Sequence, residues 1–332
     1  MNRKSSGSDM MLGKAIDGFL SYKEAEGLTA RSLDSYKRHL EKWGEHEGEI
    51  EIGKIDSKKI IDYLNWMRSG YTPHRFSGKE HPLSPKTIRN IWVTQSSFFR
   101  WAHMELSIPN PMQDVPTPRF KVAPVEPYTK DEIEKLIKAC AYSREAMPYD
   151  RKKFAMKRPT SNRDQALILT LLDSGIRAME LCMLKISDIE IKTGKIEIKH
   201  GVIGGAKGGK GRIVYLGKSS RRALWKYLAE REDGSDPEAP VFLGIRGHAL
   251  NPNSLRHLIV SIAERAEVSG AHPHRFRHTM AITYLRSGGD VFTLQSILGH
   301  GSLDMVRHYA AIAQVDAENA HRKASPVDNW RL

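Results

Sequence analysis

Cysteine is nearly missing: Cys140 and Cys182 are the two in 332 residues. They form no C-x-x-C pair and no disulfide framework, which excludes a small disulfide-stapled scaffold and points to a reducing compartment. No apolar run approaches the ~20 residues that a membrane-spanning helix needs. The opening stretch MNRKSSGSDMMLGKAIDGFLSYKEAEG has no apolar core of a secretion signal, so a cytoplasmic chain without a membrane partner is expected. No carboxylate cluster is spaced for magnesium, and internal repeats and long low-complexity tracts are missing too. Negative charge is in short supply. Against 39 acidic residues stand 52 lysines and arginines, a net charge of +13 with a pI near 9.6. Such an excess favours a polyanionic partner, nucleic acid before an anionic membrane. Charge alone leaves open a basic protein with no such partner.

What is present divides in two. In ARSLDSYKRHLEKWGEH the apolar residues Leu33, Tyr36, Leu40 and Trp43 recur at helical spacing, with Thr29 placed as N-cap. SKKIIDYLNWMRSG starts at Ser57, a candidate cap, and stops at Gly70. A third helix is predicted with Ser84 as cap and Pro85 at the first helical position, and Ile88, Ile91, Trp92, Phe98, Phe99 and Ala102 as its apolar stripe. Residues 10–114 therefore read as a small all-α domain. VPTPRFKVAPVEPYT carries four prolines and makes residues 115–127 a stiff extended linker. From residue 128 to 332 a second domain is expected. It opens on a helix with Thr129 and Glu132 as a capping box. It continues through a buried apolar helix interrupted near Ser174 and Gly175, then an antiparallel sheet in DIEIKTGKIEIKHGVIGGAKGGKGRIVYLG. From Ser219 onward the pattern is helical throughout. The fold class is thus mainly α with a small antiparallel β-sheet.

HPHRFRHTM (272–280) and LGHGSLDMVRHYA (298–310) hold five histidines, three arginines and one tyrosine. Three accounts compete: a metal site, a solvated basic face, and a phosphate-handling site. His274 and His278 stand one helical turn apart, as zinc ligands do. Arg275, however, fills the place of the glutamate that a zinc-protease helix requires, and Arg277 lies between the two histidines. GGAKGGK fits the phosphate-binding pattern G-x-x-x-x-G-K from Gly204 to Lys210, yet Gly211 follows where magnesium needs Ser or Thr, and then a strand where a helix should open. A β-turn with two lysines is the better account. For phosphate, His274 and Arg277 share one helix face, as do Arg177 and Glu180. Two guanidiniums on one phosphate neutralise a pentacoordinate transition state. Tyr309 is a phenol whose phenolate, favoured by neighbouring arginines, attacks phosphorus. Histidines supply proton acceptors near neutral pH, and a lysine on the turn can protonate a leaving oxygen. Singly, each residue has an ordinary structural explanation; together they point to one chemistry.

These residues resemble the tyrosine recombinase family of phage-integrase and Xer-type enzymes. DSGIRAMEL is similar to its first box, T-G-x-R-x-x-E-L, which implies Arg177 as a catalytic arginine and Glu180 as its supporting acid. HPHRFRHTM with LGH and the tyrosine is similar to the second box. It implies His274, Arg277, His300 and the nucleophile Tyr309 as catalytic, with His278 supporting. AKGGKGRIVYLG resembles the β-hairpin G-K-G-x-K-x-R-x-V-P-L, with Lys207 as the catalytic lysine and Lys210 the alternative. Tyr215 stands where proline is common. The helical N-terminal region resembles the SAM-like core-binding domain, in a two-domain Xer-type layout rather than the three-domain lambda type. What the resemblance implies is a site-specific recombinase that cleaves and rejoins double-stranded DNA through a 3′-phosphotyrosyl bond. No metal, cofactor or ATP is needed, and the enzyme works as a homotetramer on paired sites, at the nucleoid, with accessory proteins in some systems. The apolar stretch after Tyr309, from Ala310 to Val315, is expected to dock on a neighbouring subunit or on its own domain. Two rivals are a type IB topoisomerase, which relaxes supercoils without a defined site, and a binding-only protein of the same fold. The filled catalytic positions speak against the second.

Overall fold

The computed structural model describes residues 7–74, 81–121, 126–143, 156–199 and 211–299, with residues 309, 321, 325, 327 and 330. The chain divides into two compact units, Met1–Ala123 and Pro124–Leu332.

The first unit is built from α1 (Leu12–Ala25), α2 (Ala30–Glu47), α3 (Ser57–Ser69) and α4 (Pro85–Leu106). Local chemistry sets the starts. Thr29 caps α2 by accepting from the Ser32 amide, and Ser84 caps α4 in the same way, with Pro85 at the first helical position. For α3 the cap is Asp56, whose carboxylate accepts from the Lys59 amide, so Ser57 becomes the first helical residue instead. Both residue types cap well, and the position one earlier lets the carboxylate also meet the positive end of the helix dipole. The predicted stripe of α4 is buried at Ile88, Ile91, Phe98, Phe99 and Ala102, while Trp92 is half-buried. Phe19, Trp43, Tyr63, Phe98 and Phe99 are fully enclosed, with edge-on ring contacts of 5.5 Å for Phe19–Phe98 and 5.8 Å for Trp43–Phe98. Each such side chain contributes ~1.5–3 kcal/mol over its exposed state. A 2.8 Å bond between His39 Nδ1 and Thr94 Oγ1 ties α2 to α4.

In the second unit α5 (Lys130–Ala141) begins at the predicted capping box, with both reciprocal bonds between Thr129 and Glu132 present. The apolar run becomes α6 (Ser161–Ser174) and α7 (Ala178–Met183). Between them Gly175 takes φ +62°, a left-handed cap that glycine adopts without penalty. Then come β1 (Ile189–Glu190), β2 (Lys195–Ile198) and β3 (Arg212–Tyr215), an antiparallel sheet in that order with Ile196 opposite Val214. Ile196, Ile198 and Val214 face the core; Ile213 and Tyr215 face outward. Four helices follow: α8 (Lys218–Ala229), α9 (Pro252–Ala266), α10 (Pro273–Arg286) and α11 (Val291–Leu298). They are not continuous as expected, because residues 230–251 form turns and short bridges. Gly234, Pro237, Pro240, Gly244 and Gly247 explain the break, since proline removes a helical donor and glycine loses the most backbone freedom on ordering. α6 packs on α5, α8 and α10, and β3 packs on α11. Cys140 and Cys182 are buried free thiols in α5 and α7. Among the described residues no helix is long and apolar enough to cross a membrane.

Candidate active site

The starts of α7 and α10 and the end of α11 meet at one place, and most of the predicted residues sit there. α10 is capped by His272, whose Nδ1 accepts from the Arg275 amide, with Pro273 following. That sets His274, Arg277 and His278 on successive turns of one face. The His274 and His278 rings lie 4.2 Å apart, edge to face, and His278 is 5.3 Å from the Tyr309 ring. A row of three rings therefore runs from the helix start to the phenol.

Arg177 immediately precedes α7. Its amide donates to Glu180 Oε2 at 2.7 Å, capping the helix, and its Nη1 donates to Glu180 Oε1 at 2.8 Å. Glu180 is buried and meets a second guanidinium: Arg212, from β3, donates Nη1 to Oε1 at 2.8 Å and Nη2 to Oε2 at 2.6 Å. Burial alone would raise this carboxyl. The hydrogen bonds and charge of Arg212, reinforced by Arg177, outweigh it and hold the group down to about 2. Arg212 received no role from the sequence, although its place in the hairpin pattern was visible. Its partner lies 32 residues away, beyond any local spacing rule.

Three arginines also grip the end of α11. Arg212 Nε donates to Ile297 O at 2.7 Å, Arg277 Nη2 to Leu298 O at 2.6 Å, and Arg177 Nη2 to Gly299 O at 3.0 Å. The last carbonyls of a helix have no intrahelical donors and carry the negative end of its dipole. Guanidiniums are matched partners for them. Arg277 gives its Nη1 to Gly175 O at 2.7 Å, so Gly175 and Gly299, each left-handed with φ +62°, both lie at this junction.

Electrostatics follow from crowding and burial. Arg277 is 1 % exposed. Burial first, then the Arg177 cation, pushes it down to about 9, which still leaves it charged at neutral pH. His274 keeps a solvent-facing edge, but the protein mass around it and then the Arg277 cation, with smaller effects of His272 and Arg177, push its imidazole down to about 4. It is a neutral proton acceptor at pH 7. These cations also disfavour a metal ion, and among the described residues no three His, Cys, Asp or Glu side chains stand together as ligands. Tyr309 is fully buried, and its phenol is raised rather than lowered. Burial outweighs the opposing fields of Arg277 and Arg177, whereas the sequence suggested an accessible phenolate. Lys207, Lys210 and His300 lie outside the described residues. The arrangement offers two cations for an anionic group, a neutral imidazole for a proton, and a phenol as nucleophile.

Comparison with known proteins bears on what such a site serves. Residues 127–315 match the model of the phage integrase family. A tyrosine recombinase XerC from Thermodesulfovibrio yellowstonii is 29% identical over 321 residues, covering 94% of this chain and 96% of the relative. A tyrosine recombinase XerD from Listeria monocytogenes is 26% identical over 319 residues, covering 94% and 98%. Among solved structures, the Tn1549 transposon integrase in complex with a circular-intermediate DNA shares the fold at a TM-score of 0.73 and 17% identity, covering 95% of this chain and 99% of that one. A lambda integrase dimer bound to a COC′ core site does so at 0.68 and 19% identity, covering 92% and 79%.

Proposed function

The chain belongs to the phage integrase family of tyrosine recombinases, and from that premise we infer that it is a site-specific DNA recombinase, cleaving and rejoining strands through a 3′-phosphotyrosyl intermediate. The observation that carries the assignment is the meeting of Arg177, Arg277 and His278 at the buried phenol of Tyr309, with His274 edge to face behind His278.

Arg177 and Arg277 hold the non-bridging oxygens of the scissile phosphate, assisted by His300. Tyr309 Oη gives up its proton towards the His274–His278 pair and attacks phosphorus, forming the phosphotyrosyl bond as the bond to the 5′-oxygen breaks. Lys207 donates the proton that makes that oxygen a 5′-hydroxyl. Glu180 keeps Arg177 in place. A 5′-hydroxyl from a second duplex then reverses the steps, so the phosphodiester energy is conserved without ATP. Cationic side chains neutralise the transition state, and the chemistry as drawn uses no metal. One strand exchange needs two nicked duplexes, which supports a homotetramer on paired sites, with the first unit as a core-binding clamp. The enzyme works where its DNA is, on the cytoplasmic nucleoid.

Burial adds a step. Arg277 and Tyr309 are 1 % and 0 % exposed, so a phosphate reaches them only after the covering chain shifts. The test is a nicked suicide duplex carrying the site. Wild type traps a covalent complex that survives SDS, and Tyr309→Phe binds the duplex but traps none. A trapped complex with the phenylalanine variant would assign the nucleophile elsewhere.

A further inference from the structure

We propose that Arg212 is a positioning residue for strand cleavage, the fixed point that holds Glu180 and the end of α11 while Arg177 and Arg277 transfer to phosphate. The proposal rests on the recombinase assignment above.

Three guanidiniums share three successive carbonyls, those of Ile297, Leu298 and Gly299. Two of the three belong to the arginines assigned to phosphate. A phosphate oxygen carries full charge and is the stronger acceptor, so phosphate binding competes with the Leu298 and Gly299 carbonyls. Arg212 is not in that competition. Its side chain is 7% exposed, and its bonds run inward to Glu180 and Ile297. It stays attached when its neighbours let go.

Those bonds join three carriers of the chemistry. The Nη1 and Nη2 fork orients the carboxylate that in turn orients Arg177. Nε fixes the last turn of α11 at Ile297, two residues before the left-handed Gly299 and three before His300. Arg212 itself opens β3, directly after the segment that contains Lys207. Packing agrees with bonding: a Cβ at Gly299 would lie 3.0 Å from Arg212 Cδ and 3.2 Å from its Nη1. The turn that leads to His300 is therefore shaped against the Arg212 side chain. Lysine keeps the charge but has one nitrogen, which cannot bridge two carboxylate oxygens and a carbonyl in this planar geometry.

The experiment compares wild type, Arg212→Lys, Glu180→Gln and the double variant of the full chain on the suicide duplex, with equilibrium binding and heat stability measured alongside. Arg212→Lys is expected to bind the site duplex as wild type does. At saturating DNA it should form the covalent complex roughly 100-fold more slowly, the scale of loss for a ~1 Å misplacement. Added to Glu180→Gln, it should cost little more, because both act through one network. Cleavage at the wild-type rate by Arg212→Lys overturns the proposal. So does joint loss of site binding and heat stability, which would make the residue structural. Additive losses in the double variant would separate it from Glu180 and overturn it as well. A wild-type protein that forms no covalent complex sinks the recombinase assignment instead, and is recognised before any variant is compared.

Discussion

Replacing Glu180 by glutamine isolates the charge at the centre of the arginine network while keeping shape. The carboxylate accepts four bonds: the Arg177 amide, Arg177 Nη1, and both terminal nitrogens of Arg212. Its folded value of about 2 against an ordinary 4.5 corresponds to ~3 kcal/mol of stability at neutral pH. Side-chain exposure is 1%, so solvent screening removes little of it. Loss of one partner from a buried ion pair costs about 3–5 kcal/mol on the same scale. A depressed folded value means that the contribution is fully present above the unfolded value and is lost as pH falls from 4.5 towards 2. Glu180→Gln should therefore unfold ~3 kcal/mol more easily at pH 7, and the gap to wild type should shrink by about half at pH 3. Calorimetry of both proteins from pH 7 to pH 3 measures the gap. Equal stability at pH 7, or a gap unchanged down to pH 3, would refute the assignment of Glu180 as an ionised anchor.

Two other expectations concern DNA. Site binding should fall steeply with salt, with each neutralised phosphate adding about −0.9 to the slope of log K against log salt; a slope near zero contradicts a clamp made by a chain of charge +13. Lys207 and Lys210 can be separated with a bridging phosphorothiolate, whose 5′-sulfur leaves without a proton. Lys207→Ala should cleave normal DNA slowly and this substrate at near wild-type rate, Lys210→Ala should show no such rescue, and the reverse pattern reassigns the general acid.

Whatever depends on neighbours in the chain was legible in the sequence. The caps at Thr29, Ser84 and Thr129, the break at Gly175, the small antiparallel sheet and the helical face joining His274, Arg277 and His278 all follow from spacing and side-chain type. The cap of α3 shifted by one residue because Asp56 and Ser57 are both good caps and only the register of the whole helix chooses between them. The irregular 230–251 stretch was missed although its glycines and prolines announce it, since the apolar residues between them mimic helical spacing. Properties set by burial were not legible. The upward displacement of the Tyr309 phenol depends on its burial, and the role of Arg212 depends on one carbonyl 85 residues away.

The end of α11 explains why a site built of cations is stable without its anion. Arg177 and Arg212 both pair with Glu180, and Arg277 lies within its field, so among the described residues three guanidiniums gather at this carboxylate. Three carbonyls at the end of α11 add negative potential as partial charges. They are weaker acceptors than phosphate oxygens, strong enough to keep the guanidiniums ordered and weak enough to be displaced. A second carboxylate in their place would bind the arginines more tightly and compete with DNA. Under the proposed mechanism the backbone carbonyls are provisional ligands that phosphate would displace. On that proposal, binding of the scissile phosphate would free Leu298 O from Arg277 and Gly299 O from Arg177, while the bond from Arg212 to Ile297 O would limit how far α11 can move.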